Sequence, residues 1–389
     1  MGNLVEYKMP IQKITIEEFL SLAKQYPVLD VRSPGEYTHA HIPSAHSMPL
    51  FTDEERKQVG TAYKQQSREA AIKIGLDFFG VKMRKMVEEV EALLVVRCSL
   101  TDESGSATTN DQRTTSNIVL VHCWRGGMRS AAVAWLLDMY GFKVYLLAGG
   151  YKSYRKWVLL QFEKDYNFNI IGGYTGSGKT LLLHELENQG KIIIDLEGLA
   201  NHKGSAFGAI ENKPQPGQEM FENLLSQSLL VARCSLQDGT DSGTNNGQRS
   251  TCIYIEDESQ RIGNLQIPMP LWHTMRKSPV LYMDISFEAR LDYITEDYGK
   301  QKKEMLKEAI LRIQKRLGGL ETKNAIKFLE ENNYAACFRI LLSYYDKWYH
   351  KGLHNRENIS SLLNKIPCAG VDTKTNAQKL LSCNIVRAF

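Results

Sequence analysis

Two short segments of this chain carry residue types able to do covalent or phosphate chemistry. The first is His122-Cys123-Trp124-Arg125-Gly126-Gly127-Met128-Arg129-Ser130, set between the apolar run Ile118-Val119-Leu120-Val121 and a stretch from Ser130 to Tyr140 with helical spacing of Ala, Trp and Leu. Successive backbone N–H groups of a tight glycine-containing loop point inward, and the N-terminus of the following helix adds its positive dipole end. Such a cradle, here built on Gly126 and Gly127, holds an oxyanion and lowers the pKa of a thiol at its centre below the ~8.5 of free cysteine. Arg125 and Arg129 add positive charge. The expected species is a Cys123 thiolate facing an anionic substrate, ready for nucleophilic attack. A lone cysteine is more often a small buried hydrophobe. The paired glycines and two arginines point the other way.

The second segment is Gly173-Tyr174-Thr175-Gly176-Ser177-Gly178-Lys179-Thr180, after the strand-like Phe168-Asn169-Ile170-Ile171 and before Leu181-Leu182-Leu183. It fits G-x4-G-K-[ST] in the strand–loop–helix context that a Walker A loop requires. Gly173, Gly176 and Gly178 let backbone amides close on a di- or triphosphate, Lys179 neutralises it, and Thr180 is positioned to ligate Mg²⁺. Asp195, ending the strand Lys191 to Ile194, reads equally as a metal-side carboxylate or as a turn residue. His202, beside Lys203 in a Gly/Ser-flanked loop, is a further candidate for metal or substrate. ATP or GTP is the default ligand of the motif. No base-specificity motif accompanies it, so another diphosphate stays open.

Buried β-branched runs separated by helices, among them Val28-Leu29-Asp30-Val31, Ile118 to Val121 and Lys143 to Leu147, indicate an α/β fold with a parallel sheet. A second strand–loop–helix unit starts at Phe168 and continues through Ile192-Ile193-Ile194-Asp195. Tyr154 to Asp165 reads as a connecting helix, which places the boundary between domains 1–160 and 161–389. From Glu288 to Tyr349 the pattern turns helical, with Leu306, Ile310, Ile313 and Leu317 on one stripe. The length of 389 residues accommodates two domains.

One pattern repeats. Residues 95–115 and 231–251 share 12 of 21 positions without a gap, both opening on Val-x-Arg-Cys-Ser-Leu and both rich in Ser, Thr, Asn, Gly and Asp. Two copies are too few for a solenoid. They read as two copies of one inserted element, forming exposed loops. Cys98 and Cys234 then belong to insertions rather than to catalysis.

The seven cysteines are odd in number and lack CxxC pairs, which argues against a disulfide framework or zinc site and fits a reducing cytoplasm with one or two special thiols. No apolar run approaches the ~20 residues of a membrane helix, and the first residues lack the basic and apolar regions of a secretory signal. Glu6 stands where a myristoylation motif needs Ser or Thr. A net charge of +4 allows a nucleic-acid partner without requiring one.

The spacing H-C-x5-R-S also satisfies the signature of cysteine-dependent phosphatases, so the loop alone leaves phosphoryl and sulfur transfer open. The upstream Leu29-Asp30-Val31-Arg32-Ser33-Pro34-Gly35-Glu36-Tyr37 with His41-Ile42-Pro43-Ser44-Ala45 resembles the first signature of the rhodanese superfamily. Leu146-Leu147-Ala148-Gly149-Gly150-Tyr151 resembles the stretch after its active loop. Within it, Asp30 and Arg32 are expected to form a structural salt bridge. A rhodanese-like module followed about 50 residues later by a Walker A loop is similar to the tRNA 2-selenouridine synthase family. Asp195 to Gly208, Ile255-Glu256-Asp257-Glu258-Ser259 and Tyr344-Tyr345-Asp346 add to the likeness, which covers nearly the whole chain outside the repeats.

The resemblance implies that Cys123 attacks selenophosphate and carries selenium as a perselenide, with wobble 2-thiouridine of tRNA as acceptor. It further implies S-geranylation by geranyl diphosphate before selenium displaces the alkylated sulfur, because ring sulfur leaves poorly until alkylated. The diphosphate of geranyl diphosphate is then a ligand for the Walker loop, and the enzyme producing selenophosphate is a partner. For tRNA contact, Lys300, Lys302, Lys303, Lys307, Arg312, Lys315 and Arg316 make one region strongly basic, although Glu304 and Glu308 interrupt it as in any solvated helix. Trp272, His273, Tyr344 and Tyr345 could stack an extruded base, or fill a core. Two other readings stay open: a cysteine phosphatase or thiosulfate sulfurtransferase fused to a nucleotide-dependent module, and a regulatory protein that senses nucleotide and docks a partner.

Overall fold

A computed structural model of the chain describes residues 11–101, 117–202, 214–238 and 252–383. They fall into two units, 1–160 and 161–389, each with its own parallel sheet.

The first unit runs β1 (Gln12–Ile14), α1 (Ile16–Ala23), β2 (Val28–Asp30), α2 (Pro34–His39), β3 (His46–Ser47), α3 (Asp53–Gln65), α4 (Arg68–Gly80), α5 (Met83–Thr101), β4 (Ile118–His122), α6 (Met128–Tyr140), β5 (Lys143–Leu147) and α7 (Gly150–Gln161). Its strands pair in the order β1-β5-β4-β2-β3, all parallel. Val119, Leu120 and Val121 of the central β4 are fully buried, as a strand covered on both faces demands. Helix starts are chemically marked. Thr15 and Thr52 each accept from the backbone N–H three residues on, while Glu18 and Glu55 reach back to the cap residue's own N–H.

The second unit contains β6 (Phe168–Gly172), α8 (Lys179–Asn188), β7 (Ile193–Ile194), α9 (Leu196–Leu199), α10 (Gln218–Asp238), β8 (Ile253–Glu256), β9 (Arg261–Ile262), β10 (Leu265–Gln266), α11 (Met269–Lys277), β11 (Val280–Ile285), α12 (Phe287–Tyr298), α13 (Lys303–Leu317), α14 (Gly319–Glu330), α15 (Tyr334–His354), α16 (Ile359–Leu362), β12 (Leu363–Cys368) and α17 (Thr373–Ser382). The order β12-β11-β6-β8-β7 puts β6 at the centre, between β11 and β8. Ligands of such sheets bind beyond the carboxyl ends of the central strands. Helices α12 to α15 close on a separate apolar cluster containing Leu306, Ile310, Phe338 and Leu341. The fold is α/β in both units, with the second ending in a mostly helical region.

The repeated element differs from the loop expectation where it is described. Residues 95–101 prolong α5 and 231–238 prolong α10, because Val-x-Arg-Cys-Ser-Leu has no helix breaker and follows an apolar helical stripe. The rest of each copy, 102–115 and 239–251, lies outside the described residues.

Candidate active sites: a cysteine loop and a phosphate loop

Cys123 follows β4 directly and is 3 % exposed. The turn after β5 clamps its loop: Tyr151 N–H donates to Cys123 O at 2.8 Å and Lys152 N–H to Trp124 O at 3.0 Å. Gly126 takes φ +64°, and a Cβ there would lie 2.9 Å from Leu147 O. Only glycine fits so close an approach at that angle. Gly127 is the residue before α6, so the thiol faces that helix's N-terminus.

The Ser130 hydroxyl lies 3.2 Å from Cys123 Sγ. Burial pushes the Cys123 thiol up. Hydrogen bonds from the Ser130 hydroxyl and from the Ser130 and Arg125 backbone N–H groups, together with the Arg129 charge, outweigh it and hold the thiol below its ordinary value. Arg129 is less available to a substrate than its position suggested. Its guanidinium donates to both Glu36 oxygens, at 2.7 and 3.3 Å. Net positive charge at the loop therefore rests more on Arg125 and the backbone amides.

Behind the loop, Arg32 and Asp30 are completely buried and paired at 2.6 Å, with Arg32 also donating to Ala40 O and stacked 3.8 Å over the Tyr151 ring. They brace β2 and touch no open surface.

In the second unit, Gly173, Gly176 and Gly178 all have positive φ, at +150°, +81° and +69°. A Cβ on Gly176 would meet Ile294 at 2.4 Å. Lys179 Nζ donates to Gly173 O at 3.1 Å, curling over the loop. The C-terminal helices hold that loop in place. Arg290 of α12, 2 % exposed, donates to Thr175 O at 3.0 Å and is paired with Asp346 of α15 at 2.7 Å. Tyr349 of α15 accepts from Gly173 N–H and donates to Asp257, which also pairs with buried Arg356.

Thr180 Oγ1 lies 2.7 Å from Glu256 Oε1 and 3.0 Å from Glu197 Oε2. Burial, then the charges of Glu197 and Asp195, push Glu256 up to about 8 against the opposing Thr180 hydrogen bond. Burial and Glu197 likewise raise Glu258, against the pull of Lys179. A hydroxyl beside hard, mutually repelling carboxylates fits Mg²⁺ held with substrate phosphate oxygens. Among the described residues, no group of three or more His, Cys, Asp or Glu forms a self-sufficient metal cage.

Asp195 takes the turn role. Its carboxylate caps α9, accepting Gly198 N–H at 2.7 Å, and lies 3.2 Å from His184 Nε2. Glu197 and Glu256 stand at Thr180 instead. Sequence reading assigned them no role, although an apolar strand ending in Glu256-Asp257-Glu258 was the available signal. His202 follows α9, its N–H on Glu197 O, and is absent from the lining of the phosphate cavity; Lys203 lies outside the described residues.

The basic candidates separate. Lys302 and Lys303 open α13 while Arg316 closes it, roughly 20 Å away at 1.5 Å per residue. Arg312 sits 3.8 Å from Glu308 and Lys307 pairs with Glu330. Arg316 instead joins Tyr344, Lys347, Trp348 and Lys351 around a groove of about 590 Å³. Trp272 and His273 lie on α11, outside both cavities of this unit just described, with Arg276 over the Trp272 ring.

These sites define a rhodanese-like module with a buried cysteine in its glycine loop, joined in one chain to a P-loop module. Residues 15–156 match the rhodanese-like domain and 166–365 the tRNA 2-selenouridine synthase AAA domain. Among similar curated proteins, the tRNA 2-selenouridine synthase of Nitrosomonas europaea is 35 % identical over 282 residues, covering 70 % of this chain and 63 % of that protein. That of Hydrogenovibrio crunogenus is 31 % identical over 365 residues, covering 86 % and 91 %. That of a Sulfurovum species is 32 % identical over 355 residues, covering 83 % and 87 %. The chain belongs to the tRNA 2-selenouridine synthase family.

Proposed function

We propose that this protein converts 2-thiouridine at the tRNA wobble position to 2-selenouridine, using geranyl diphosphate and then selenophosphate. The observation that carries the reading is the pairing, in one chain, of a buried cysteine set in a glycine loop at a helix N-terminus with a P-loop cavity whose walls are partly apolar. That cavity, about 490 Å³, sets Lys179, Thr180 and the acidic Glu197, Asp257 and Glu258 beside Leu181, Tyr293, Ile294, Tyr345 and Trp348. Such a combination suits a diphosphate carrying a hydrocarbon chain.

In this reading the P-loop amides and Lys179 bind the diphosphate as the thio sulfur is alkylated. Thr180, with Glu197 and Glu256 beside it, would hold Mg²⁺, which would supply further charge neutralisation for a leaving diphosphate. Cys123 is the nucleophile that attacks selenophosphate at phosphorus. The P–Se bond breaks, selenide leaves to displace the alkylated sulfur, and water frees the phosphoryl group from Cys123, whose cradle of N–H groups holds the phosphate oxygens. An enzyme that makes selenophosphate must supply it, and a tRNA substrate places the reaction in the cytoplasm. Among the described residues, no helix is long and apolar enough to cross a membrane.

The groove of Arg316, Lys347, Lys351, Tyr344 and Trp348 is the better tRNA surface than the start of α13. Trp348 lines both this groove and the phosphate cavity, so a base stacked there would approach the geranyl donor. The test is omission: purified protein with 2-thiouridine tRNA, geranyl diphosphate and selenophosphate, followed by nucleoside mass spectrometry. 2-Selenouridine should form only in the complete mixture. Formation without geranyl diphosphate would remove the alkylation step from the reading.

A further inference from the structure

Beside the cysteine loop, α3, α4 and the start of α6 enclose a groove of about 490 Å³ that the chemistry of Cys123 does not explain. Its walls are mostly apolar, with Phe51, Ile72, Leu76 and Met128 prominent, and Arg125 and Arg129 of the cysteine loop line it together with Arg56 and Lys64. Ile72, Leu76 and Met128 are 36, 55 and 48 % exposed. An exposed apolar patch of this kind marks a ligand or partner site. Gly60 of α3 also lines it, and a Cβ there would find nothing within 4 Å. A glycine in mid-helix costs stability relative to alanine, and here it leaves the groove open.

We infer that this groove holds the ten-carbon chain of the S-geranyl thioether during selenium exchange. The inference rests on the two-step route proposed above. In that exchange the C2–S bond breaks and geranyl thiolate leaves with the bonding pair. Selenium from selenophosphate, already at the selenide level, forms the C2–Se bond, and water takes the phosphoryl group. Nothing is oxidised or reduced. The groove answers both needs of the departing group: apolar walls for its hydrocarbon, and Arg125 in its lining for its developing negative charge. Continuity between groove and loop sets the thioether carbon near Cys123 when the chain is seated, since Arg125, Met128 and Arg129 belong to both.

The test uses tRNA carrying S-methyl, S-dimethylallyl or S-geranyl 2-thiouridine, with selenophosphate and the full-length protein. Wild type should prefer geranyl over methyl by at least about tenfold in kcat/KM, mostly through KM, as filling an apolar pocket provides. Gly60→Leu, which fills the groove, should erase that preference while Cys123 keeps its rate of carboxymethylation by iodoacetate. If Gly60→Leu loses that thiol reactivity, Leu76→Asp on the exposed wall replaces it, with the same loss of preference expected. Equal kcat/KM for methyl and geranyl in wild type, or an undiminished preference in a variant with a reactive thiol, overturns the groove assignment and leaves the route standing. Wild type that converts no S-alkyl tRNA overturns the route itself, and the groove loses its occupant.

Discussion

Tyr349 lies 176 residues after Gly173, and its hydroxyl accepts that glycine's backbone N–H at 3.0 Å. The same hydroxyl donates to Asp257 Oδ2 at 2.7 Å. The last long helix of the chain thus fixes the first amide of the phosphate loop and ties it to the acidic end of β8.

Tyr349→Phe removes both hydrogen bonds while keeping the ring. A neutral hydrogen bond is worth about 0.5–1.5 kcal/mol net, so the affinity for geranyl diphosphate should fall about two- to tenfold by calorimetry. Asp257 keeps Arg356, which limits the structural cost. An unchanged affinity would mean that the phosphate loop holds its shape without α15.

The thiolate of Cys123 should persist to lower pH than that of ordinary cysteine, because the forces lowering its pKa exceed the effect of burial. The rate of alkylation by iodoacetamide should therefore reach half its maximum below the ~8.5 of free cysteine. In Ser130→Ala the midpoint should move upward, since the 3.2 Å hydroxyl contact is gone. Identical profiles for the two proteins would assign the lowered pKa to the loop backbone alone.

Arg32→Ala leaves a completely buried Asp30 carboxylate without its guanidinium partner, holding only the residue-32 backbone N–H at 3.1 Å and facing His122, 3.7 Å away. Breaking a buried pair from one side costs about 3–5 kcal/mol, which denaturant unfolding of the first unit should register. Replacing both partners, as Asp30→Leu with Arg32→Met, should recover much of that loss. Burial raises the Asp30 pKa, but His122 and Arg32 bring it below its ordinary value. The pair's stabilisation is therefore complete above the unfolded-chain value of about 3.9 and lost as pH falls through the folded value. A loss under about 1 kcal/mol in Arg32→Ala would show that water reaches Asp30.

The parallel sheets and the two glycine loops were legible in sequence because local chemistry specifies them. Apolar β-branched runs ending in glycine and a polar loop leave little other choice. The partners of those loops were not legible, because they come from far along the chain. Nothing near Thr180 announces Glu256, 76 positions on, and nothing near Arg129 announces Glu36, 93 positions back. The repeated element misled for a different reason. Its Ser, Thr and Asn content suggested loop throughout, but its first residues follow strong helices and continue them.

The division of labour between the two loops is tested most directly by two variants run side by side on 2-thiouridine tRNA with geranyl diphosphate and selenophosphate. Cys123→Ala should accumulate S-geranyl-2-thiouridine with no 2-selenouridine. Lys179→Ala should form neither product, yet should convert tRNA geranylated beforehand. Intact geranylation in Lys179→Ala, or 2-selenouridine from Cys123→Ala, would contradict the assignment of the two steps to these two sites.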